Sequence, residues 1–163
     1  MLLMATKMNM LAFSSLMEVY EESNRENASD LWPDLQPEAA LAMGEQAFYQ
    51  YLREVFFKTP GAVYAIWLEQ GNYRAALRLE PYRDGLLLEA LETAPSHRRK
   101  GCAEKLLRAV LSSEHGKIYS HVHKKNLPSM KLHEKMGFRR ISESAVYIDG
   151  SVSQACCTLC YEA

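Results

Sequence analysis

Residues 86–123 read as a strand, a helix and a second strand in direct succession, and this succession constrains the fold more than any other feature. Leu86–Leu91 is almost continuously apolar, which is typical of a strand covered on both faces. After a basic loop, apolar residues recur at helical spacing up to Gly116, and Lys117–His123 reads as the second strand. Because a helix that joins neighbouring strands in this way places them in parallel, the sequence predicts one βαβ crossover.

The region before this unit is dominated by helical patterns. Residues 1–9 are expected to form a short strand, and Phe13–Tyr20 carries apolar residues at the spacing of one helix face. The stretch Asn24–Gln36 is polar and contains a proline, so it is interpreted as a connection. Pro37 suits the first turn of a second helix, which we expect to continue to Phe56.

Strand patterns separated by turn residues account for most of the remaining chain. Three antiparallel strands are predicted before the crossover, at Ala62–Gln70, Tyr73–Glu80 and Leu86–Ala94. A short helix at Pro128–Met136 and a hairpin of Phe138–Ile148 with Val152–Glu162 are predicted after it. The order β-α-α-β-β-β-α-β-α-β-β predicts a mixed α/β sheet with helices on both faces, in one domain that spans residues 1–163.

Composition excludes several classes of protein. The chain has 163 residues with 19 Lys+Arg and 20 Asp+Glu, and the formal charge of −1 gives no general attraction to nucleic acid. No apolar run reaches the ~18 residues that a membrane span needs. The four cysteines lack the spacing of a zinc site and the spread of a disulfide scaffold, so we expect no metal and reduced thiols in a cytoplasmic protein. We expect either a monomer or a homodimer.

The basic loop before the predicted helix has the features of an anion site. Gly101 and Ala103 are small enough for a ligand to approach the backbone, and free N–H groups at a helix start attract phosphate. Arg98, Arg99 and Lys100 add cationic donors suited to a pyrophosphate. The spacing matches neither a P-loop nor a Rossmann fingerprint, and a solvated basic turn is the alternative interpretation.

Two segments of the chain resemble the GNAT superfamily of N-acetyltransferases. Arg98-x-x-Gly101-x-Ala103 is similar to its [R/Q]-x-x-G-x-[G/A] pyrophosphate loop. The segment Asn126–Phe138 is similar to its second block, N-x-x-[A/S]-x-x-L-Y-x-K-x-G-F. The resemblance implies a GNAT-like acyl-CoA N-acyltransferase fold that moves an acetyl group from acetyl-CoA to a primary amine, most simply of a small molecule, in a ternary complex.

The resemblance also implies which residues hold acetyl-CoA. The strand at Leu91 and Thr93 would bind the pantetheine arm and polarise the thioester, and the loop would bind the pyrophosphate. The alternatives are a non-catalytic acyl-CoA-binding sensor on the same fold and acetylation of a protein amine. The expected cofactor-binding residues are Leu91, Thr93, Arg98, Arg99, Lys100, Gly101, Cys102, Ala103, Asn126 and Ser129.

Glu89 and Glu92 are the candidates for the base that deprotonates the amine. A carboxylate in an apolar strand is costly unless it has a partner or faces a cleft, and burial raises its pKa towards that of a useful base. Strand alternation places the two on opposite faces, so both line one cleft only if a bulge intervenes. A structural salt bridge to Arg74 or Arg78 is the alternative for either carboxylate.

His133 occupies the position at which the superfamily block usually carries the tyrosine acid. A histidine is only partly protonated at neutral pH, so it serves as the acid if a carboxylate raises its pKa, or it donates a hydrogen bond to sulfur. A satisfied structural histidine is the alternative. His121 and His123 alternate on one strand but lack a third metal ligand.

Carboxylates near the expected acceptor side hint at the substrate. Glu18, Glu21 and Glu22 lie at the end of the first helix next to Tyr20, and with Glu89 and Glu92 they suggest an acidic pocket. Such a pocket favours a cationic amine such as a polyamine, an aminoglycoside or an amino-acid derivative. The sequence leaves the acceptor, and its small-molecule or protein nature, open.

Overall fold

The computed structural model describes all 163 residues and contains nine strands and five α-helices. The helices are α1 Phe13–Val19, α2 Glu21–Leu31, α3 Pro37–Glu54, α4 Cys102–Ser113 and α5 Leu127–Lys135. The strands are β1 Leu2–Ala5, β2 Val63–Glu69, β3 Asn72–Tyr82, β4 Gly85–Thr93, β5 Lys117–His123, β6 Arg139–Ser142, β7 Ala145–Val146, β8 Val152–Ser153 and β9 Cys156–Glu162. No helix is long and apolar enough to cross a membrane.

Seven strands form one mixed sheet in the order β1-β2-β3-β4-β5-β9-β6. Neighbours are antiparallel except β4 and β5, which run parallel on either side of the α4 crossover. This arrangement confirms the predicted fold class. The one parallel pair matters most, because its strands both point their carboxyl ends towards the start of α4.

Helices cover both faces of the sheet. On one face, α4 buries Leu106, Leu107 and Val110 in a core that also includes Met130 of α5. On the other face, α1 and α3 pack over β2 and β3 around a second core that contains many aromatic rings, such as Tyr64. The sheet is therefore the middle of three layers.

The prediction of a connection over residues 24–36 was wrong, because α2 occupies Glu21–Leu31. The segment lacks an apolar stripe, and of its residues only Ala28 is buried. The buried Ala28 lies against Gly44 of α3, and Arg25 adds exposed ion pairs to Glu21 one turn earlier at 3.3 Å and to Glu38 of α3 at 2.8 Å. A polar helix of this kind gives no periodic signal in the sequence.

The turn of the predicted C-terminal hairpin is present, but the strands on either side of it form two separate pairs. Strands β7 and β8 pair around the turn in a small separate sheet, while β6 and β9 pair in the main sheet. The break allows Thr158 to donate a hydrogen bond to the Ser144 carbonyl at 2.7 Å.

Candidate functional site

A cleft opens between β4 and β5 where these two strands separate. They pair only as far as Leu88 and Ser120, and beyond that point the cleft has a volume of about 200 Å³. Its walls bring together residues that are distant in the sequence: Glu89, Leu91 and Glu92 from β4, Ser120, His121, Val122 and His123 from β5, and Asn126, Ser129 and His133 from α5 and its N-terminus. The cleft thus contains all three predicted catalytic residues.

A β-bulge in β4 reshapes one wall of this cleft. Arg78 faces Glu89 and Ala76 faces Glu92, so β4 has one more residue than β3 over this interval. Ala90 lies in the left-handed region with a φ of 52°, as a bulged residue can. The extra residue places Glu89 and Glu92 on the same face, which is the condition that the sequence left open.

The carboxyl group of Glu89 lies partly buried beside two other ionisable side chains. Burial and the neighbouring carboxyl group of Glu80 raise its pKa to about 8, and the Arg78 guanidinium opposes that shift. Arg78 Nε lies 4.0 Å from Glu89 Oε2, which is beyond hydrogen-bond distance. A carboxylate with this pKa changes its charge near neutral pH, as a general base must.

Glu92 lies further along the same face in a different environment. Its Oε2 accepts a hydrogen bond from the Ser23 hydroxyl of α2 at 2.9 Å. Burial raises the pKa of Glu92, while that hydrogen bond and Arg98 oppose the shift. Glu92 therefore has an identified partner, whereas Glu89 Oε2 is buried and has none.

His133 is 1% exposed and both of its ring nitrogens are engaged. Nδ1 lies 2.7 Å from the Ser129 carbonyl oxygen, which can only accept, so Nδ1 carries the proton. Nε2 lies 2.9 Å from the Ser120 hydroxyl, which donates to it when the ring is neutral. Burial lowers the pKa of His133, and no carboxylate contacts the ring.

Ser120 is a site residue that the sequence analysis missed. It is 2% exposed and stands between His133 and the cleft. A serine in a buried stretch of strand is a detectable signal, since a buried hydroxyl requires a hydrogen-bond partner. Its partner, however, is 13 residues away and cannot be read from spacing.

The basic loop leads into α4 through a left-handed residue. Gly101 has a φ of 76° and is the N-cap, and a Cβ built there would meet no atom within 4 Å. The first intrahelical bond runs from Lys105 N to Gly101 O, so the three N–H groups before Lys105 have no carbonyl partner. A cavity of about 220 Å³ lies against this helix start, with Thr93, Arg99, Gly101, Cys102 and Ala103 in its wall.

The loop cations differ in their contacts. Arg98 forms an ion pair with Glu22 at 2.7 Å, whereas Arg99 and Lys100 are exposed and form no ion pair or hydrogen bond. Cys102 is buried, and burial raises the pKa of its thiol, although a helix start alone would lower it. The loop therefore has two free cations beside unpaired N–H groups, which suits a phosphate group.

The acidic wall expected from the first helix is only partly formed. Glu18 and Glu21 border a separate shallow cavity that shares no residue with the cleft. Glu21 and Glu22 are neutralised by Arg25 and Arg98, respectively.

At the start of α5, Asn126 caps the helix by accepting a hydrogen bond from the Ser129 N–H at 3.2 Å.

The separated parallel pair, the bulge beside the cleft and the unpaired N–H groups at the start of α4 are consistent with the acyl-CoA N-acyltransferase fold that the resemblance to the GNAT superfamily implies. A family model bears this out: the acetyltransferase (GNAT) family matches residues 15–138. The chain belongs to this family of acetyltransferases. No curated protein matches the sequence.

Solved structures share the fold over the whole chain at low sequence identity. A PaiA N-acetyltransferase from Thermoplasma acidophilum, crystallised with coenzyme A, has a TM-score of 0.63 and 12% identity and covers 100% of this chain and 99% of its own. An acetyltransferase from Streptococcus agalactiae has a TM-score of 0.65 and 17% identity, with coverages of 99% and 98%. An IAA acetyltransferase from Bacillus cereus has a TM-score of 0.60 and 14% identity, with full coverage of both chains.

Proposed function

We propose that this acetyltransferase moves an acetyl group from acetyl-CoA to a primary amine of a small molecule, by direct attack in a ternary complex. The observation that carries the proposal is the bulge at Ala90, which places Glu89 beside a cleft that also contains His133. The cleft supplies a proton acceptor on one wall and a hydroxyl–imidazole pair on the other. Both are needed when an amine replaces a thiolate.

The residues present fit the donor. The unpaired N–H groups at the start of α4, with Arg99 and Lys100, suit its pyrophosphate, and Gly101 leaves room for close approach. Beyond Leu88 the backbone of β4 has no β5 partner, so the edge that contains Leu91 and Thr93 is free to bond a pantetheine amide. Asn126 and Ser129 border the opposite wall.

Proton transfer in this proposal uses both walls of the cleft. The Glu89 carboxylate accepts a proton from the ammonium group, and the neutral amine nitrogen attacks the thioester carbon. The neutral His133 ring accepts a hydrogen bond from the Ser120 hydroxyl at Nε2 and so fixes the orientation of that hydroxyl beside the departing sulfur. The thiolate leaves with the proton that the attacking nitrogen loses as the amide forms. Glu92 is the second candidate for the base, although its hydrogen bond to Ser23 occupies one oxygen.

The test is release of free thiol from acetyl-CoA across a panel of amines that includes polyamines, aminoglycosides, amino acids and peptides with a free N-terminus. We expect turnover with a small-molecule class and loss of turnover in Glu89→Gln with unchanged acetyl-CoA binding. Turnover with peptides alone would assign a protein acceptor. Binding of acetyl-CoA without turnover of any amine would identify a sensor instead.

A further inference from the structure

Four side chains in one row across the sheet each have a buried polar atom without a hydrogen-bond partner. Tyr64 on β2 pairs in register with Arg78 on β3, and Arg78 pairs with Glu89 on β4. His121 of β5 lies across the cleft from Glu89. The unpartnered atoms are Tyr64 Oη, Arg78 Nε, Glu89 Oε2 and His121 Nε2, and the whole chain has only one other such side-chain atom, Arg74 Nε.

Unsatisfied buried polar atoms are rare in folded proteins, so four of them in a row need a physical explanation. Leaving a buried donor or acceptor unpaired costs free energy, and the cost is larger when the group is charged. A bound ligand with complementary groups would remove this cost. The row therefore has the character of a site that is completed by its substrate.

Arg78 is the least satisfied member of the row. Its guanidinium lies 5.4–5.9 Å from the ring centres of Phe48, Tyr51 and Phe56, and it makes no hydrogen bond at all. Its side chain remains 17% exposed and that of Glu89 remains 26% exposed, so both can be reached from solvent. A rigid guanidinium with free donors is the group best suited to a carboxylate, which it binds through two parallel hydrogen bonds.

The chemistry of the row specifies both ends of a ligand. Arg78 is the donor for an anion, and the buried Tyr64 beside it stays protonated because burial raises its pKa. Glu89, supported by Glu80, is an acceptor for an amine. Because Arg78 and Glu89 are direct cross-strand partners, the anionic and amino groups of the ligand must also be neighbours.

We propose that the acceptor is an α-amino acid or a close derivative with a free carboxylate, held by Arg78 through the carboxylate and presented to Glu89 through its amine. This inference rests on the proposed acetyl transfer and specifies its substrate class. A polyamine has no group that could accept hydrogen bonds from the Arg78 guanidinium. A protein N-terminus or lysine side chain would lack the adjacent carboxylate. The half-buried Phe48 and Tyr51 rings favour an apolar side chain on the amino acid.

Matched acceptors that differ only in the carboxylate test this inference. L-Leucine is compared with 3-methylbutylamine and, separately, with L-leucinamide, and L-phenylalanine is compared with 2-phenylethylamine. For each compound, kcat/KM is measured by thiol release from acetyl-CoA. We expect the amino acid of each pair to be preferred by about tenfold or more. A preference for the amine or the amide would overturn the assignment while leaving acetyl transfer intact.

Variants of Arg78 test whether this residue causes the preference for acceptors with a carboxylate. Arg78→Met is expected to raise KM at least tenfold more for the amino acids than for the matched amines, with Arg78→Lys intermediate. Arg83→Met is the control, because Arg83 also stacks on aromatic rings, at 5.1 Å from Tyr82, but is exposed. Equal losses for both members of a pair would contradict the proposal, and acetyl-CoA affinity reports whether each variant is folded.

A binding measurement separates failure of this inference from failure of the proposed function. If no amine is acetylated, the protein saturated with coenzyme A is titrated calorimetrically with L-leucine and L-phenylalanine. Binding that is lost in Arg78→Met would support the carboxylate site and overturn only the catalytic proposal. Absence of binding in the unmodified protein would overturn the carboxylate site.

Discussion

The Tyr20 hydroxyl donates a 2.7 Å hydrogen bond to the carbonyl oxygen of Ala90, the bulged residue of β4. Tyr20 is 3% exposed and follows directly after α1, so a helix far away in the sequence fixes the backbone that carries Glu89. The bulge alone determines whether Glu89 and Glu92 share a face. Tyr20 is therefore a positioning residue for the proposed base.

Removing this hydroxyl tests the positioning role. We expect Tyr20→Phe to lower the free energy of unfolding by about 1 kcal/mol, the usual value of one hydrogen bond. It should also lower kcat by about three- to tenfold, because a displaced base loses its alignment. Tyr73→Phe is the matched control, since the buried Tyr73 hydroxyl accepts from the Ala12 N–H at 2.9 Å and makes no hydrogen bond to a cleft residue. Equal kcat in the two variants would exclude positioning by Tyr20.

The carboxyl group of Glu80 should control the ionisation of Glu89. Glu80 raises the pKa of Glu89, because a second negative charge nearby disfavours the carboxylate. In Glu80→Gln that effect disappears, so the ionisation near pH 8 in the pH profile of kcat/KM should move to lower pH. The same acceptor is used throughout, which keeps the ionisation of the amine constant.

Glu54→Gln is the control for this pH shift, because Glu54 is exposed at the end of α3 and pairs with Arg53. It should leave the profile unchanged. A profile that does not move in Glu80→Gln would show that the ionisation near pH 8 belongs to another group, with Glu92 the next candidate.

The sequence predicted the elements whose signals are local. The α4 stripe, the strand before it and the glycine at its start are each defined by residues within a few positions, and the structure has all of them. The polar helix α2 was missed because its stability comes from Arg25 and from packing on α3 rather than from periodicity. Local pattern reveals a helix with a wide apolar face but not one that packs through a single small residue such as Ala28.

The sequence indicated which residues line the cleft, but not how they are arranged there. Glu89, Glu92 and His133 were identified from residue type and motif, yet only the register of β3 against β4 shows that an extra residue intervenes. Contacts of His133 with Ser120, and of Arg78 with aromatic rings, join residues from different elements. Such contacts depend on tertiary packing, which a single sequence does not encode in its spacing.

The hydrogen bond between Ser120 and His133 predicts that the two residues act as one unit. We expect Ser120→Ala and His133→Ala each to lower kcat at least tenfold, with little change in acetyl-CoA affinity. Because both changes remove the same oriented hydroxyl, the double variant should lose no more than the more severe single variant. Multiplied losses would place the two residues in separate roles, and unchanged turnover in His133→Ala would remove His133 from the mechanism.

The unequal contacts of the loop arginines predict unequal contributions to donor binding. Arg99 borders the cavity at the start of α4 without a partner, so Arg99→Ala should weaken acetyl-CoA binding about tenfold, as expected for one charge-assisted hydrogen bond. Arg98 must first leave Glu22, so Arg98→Ala should weaken binding less. Calorimetric titration at two salt concentrations measures both, and the loss should shrink at high salt as the charge is screened.

Two further variants make this prediction decisive. Arg139→Ala removes an exposed cation on β6, which borders a different cavity, and should leave acetyl-CoA binding unchanged. Simultaneous reversal of charge at Arg98 and Arg99 places two carboxylates beside the unpaired N–H groups of α4, where they compete with the pyrophosphate as internal anions. Binding should then fall well below that of either alanine variant, and full affinity in the reversed protein would mean that the donor's diphosphate binds elsewhere.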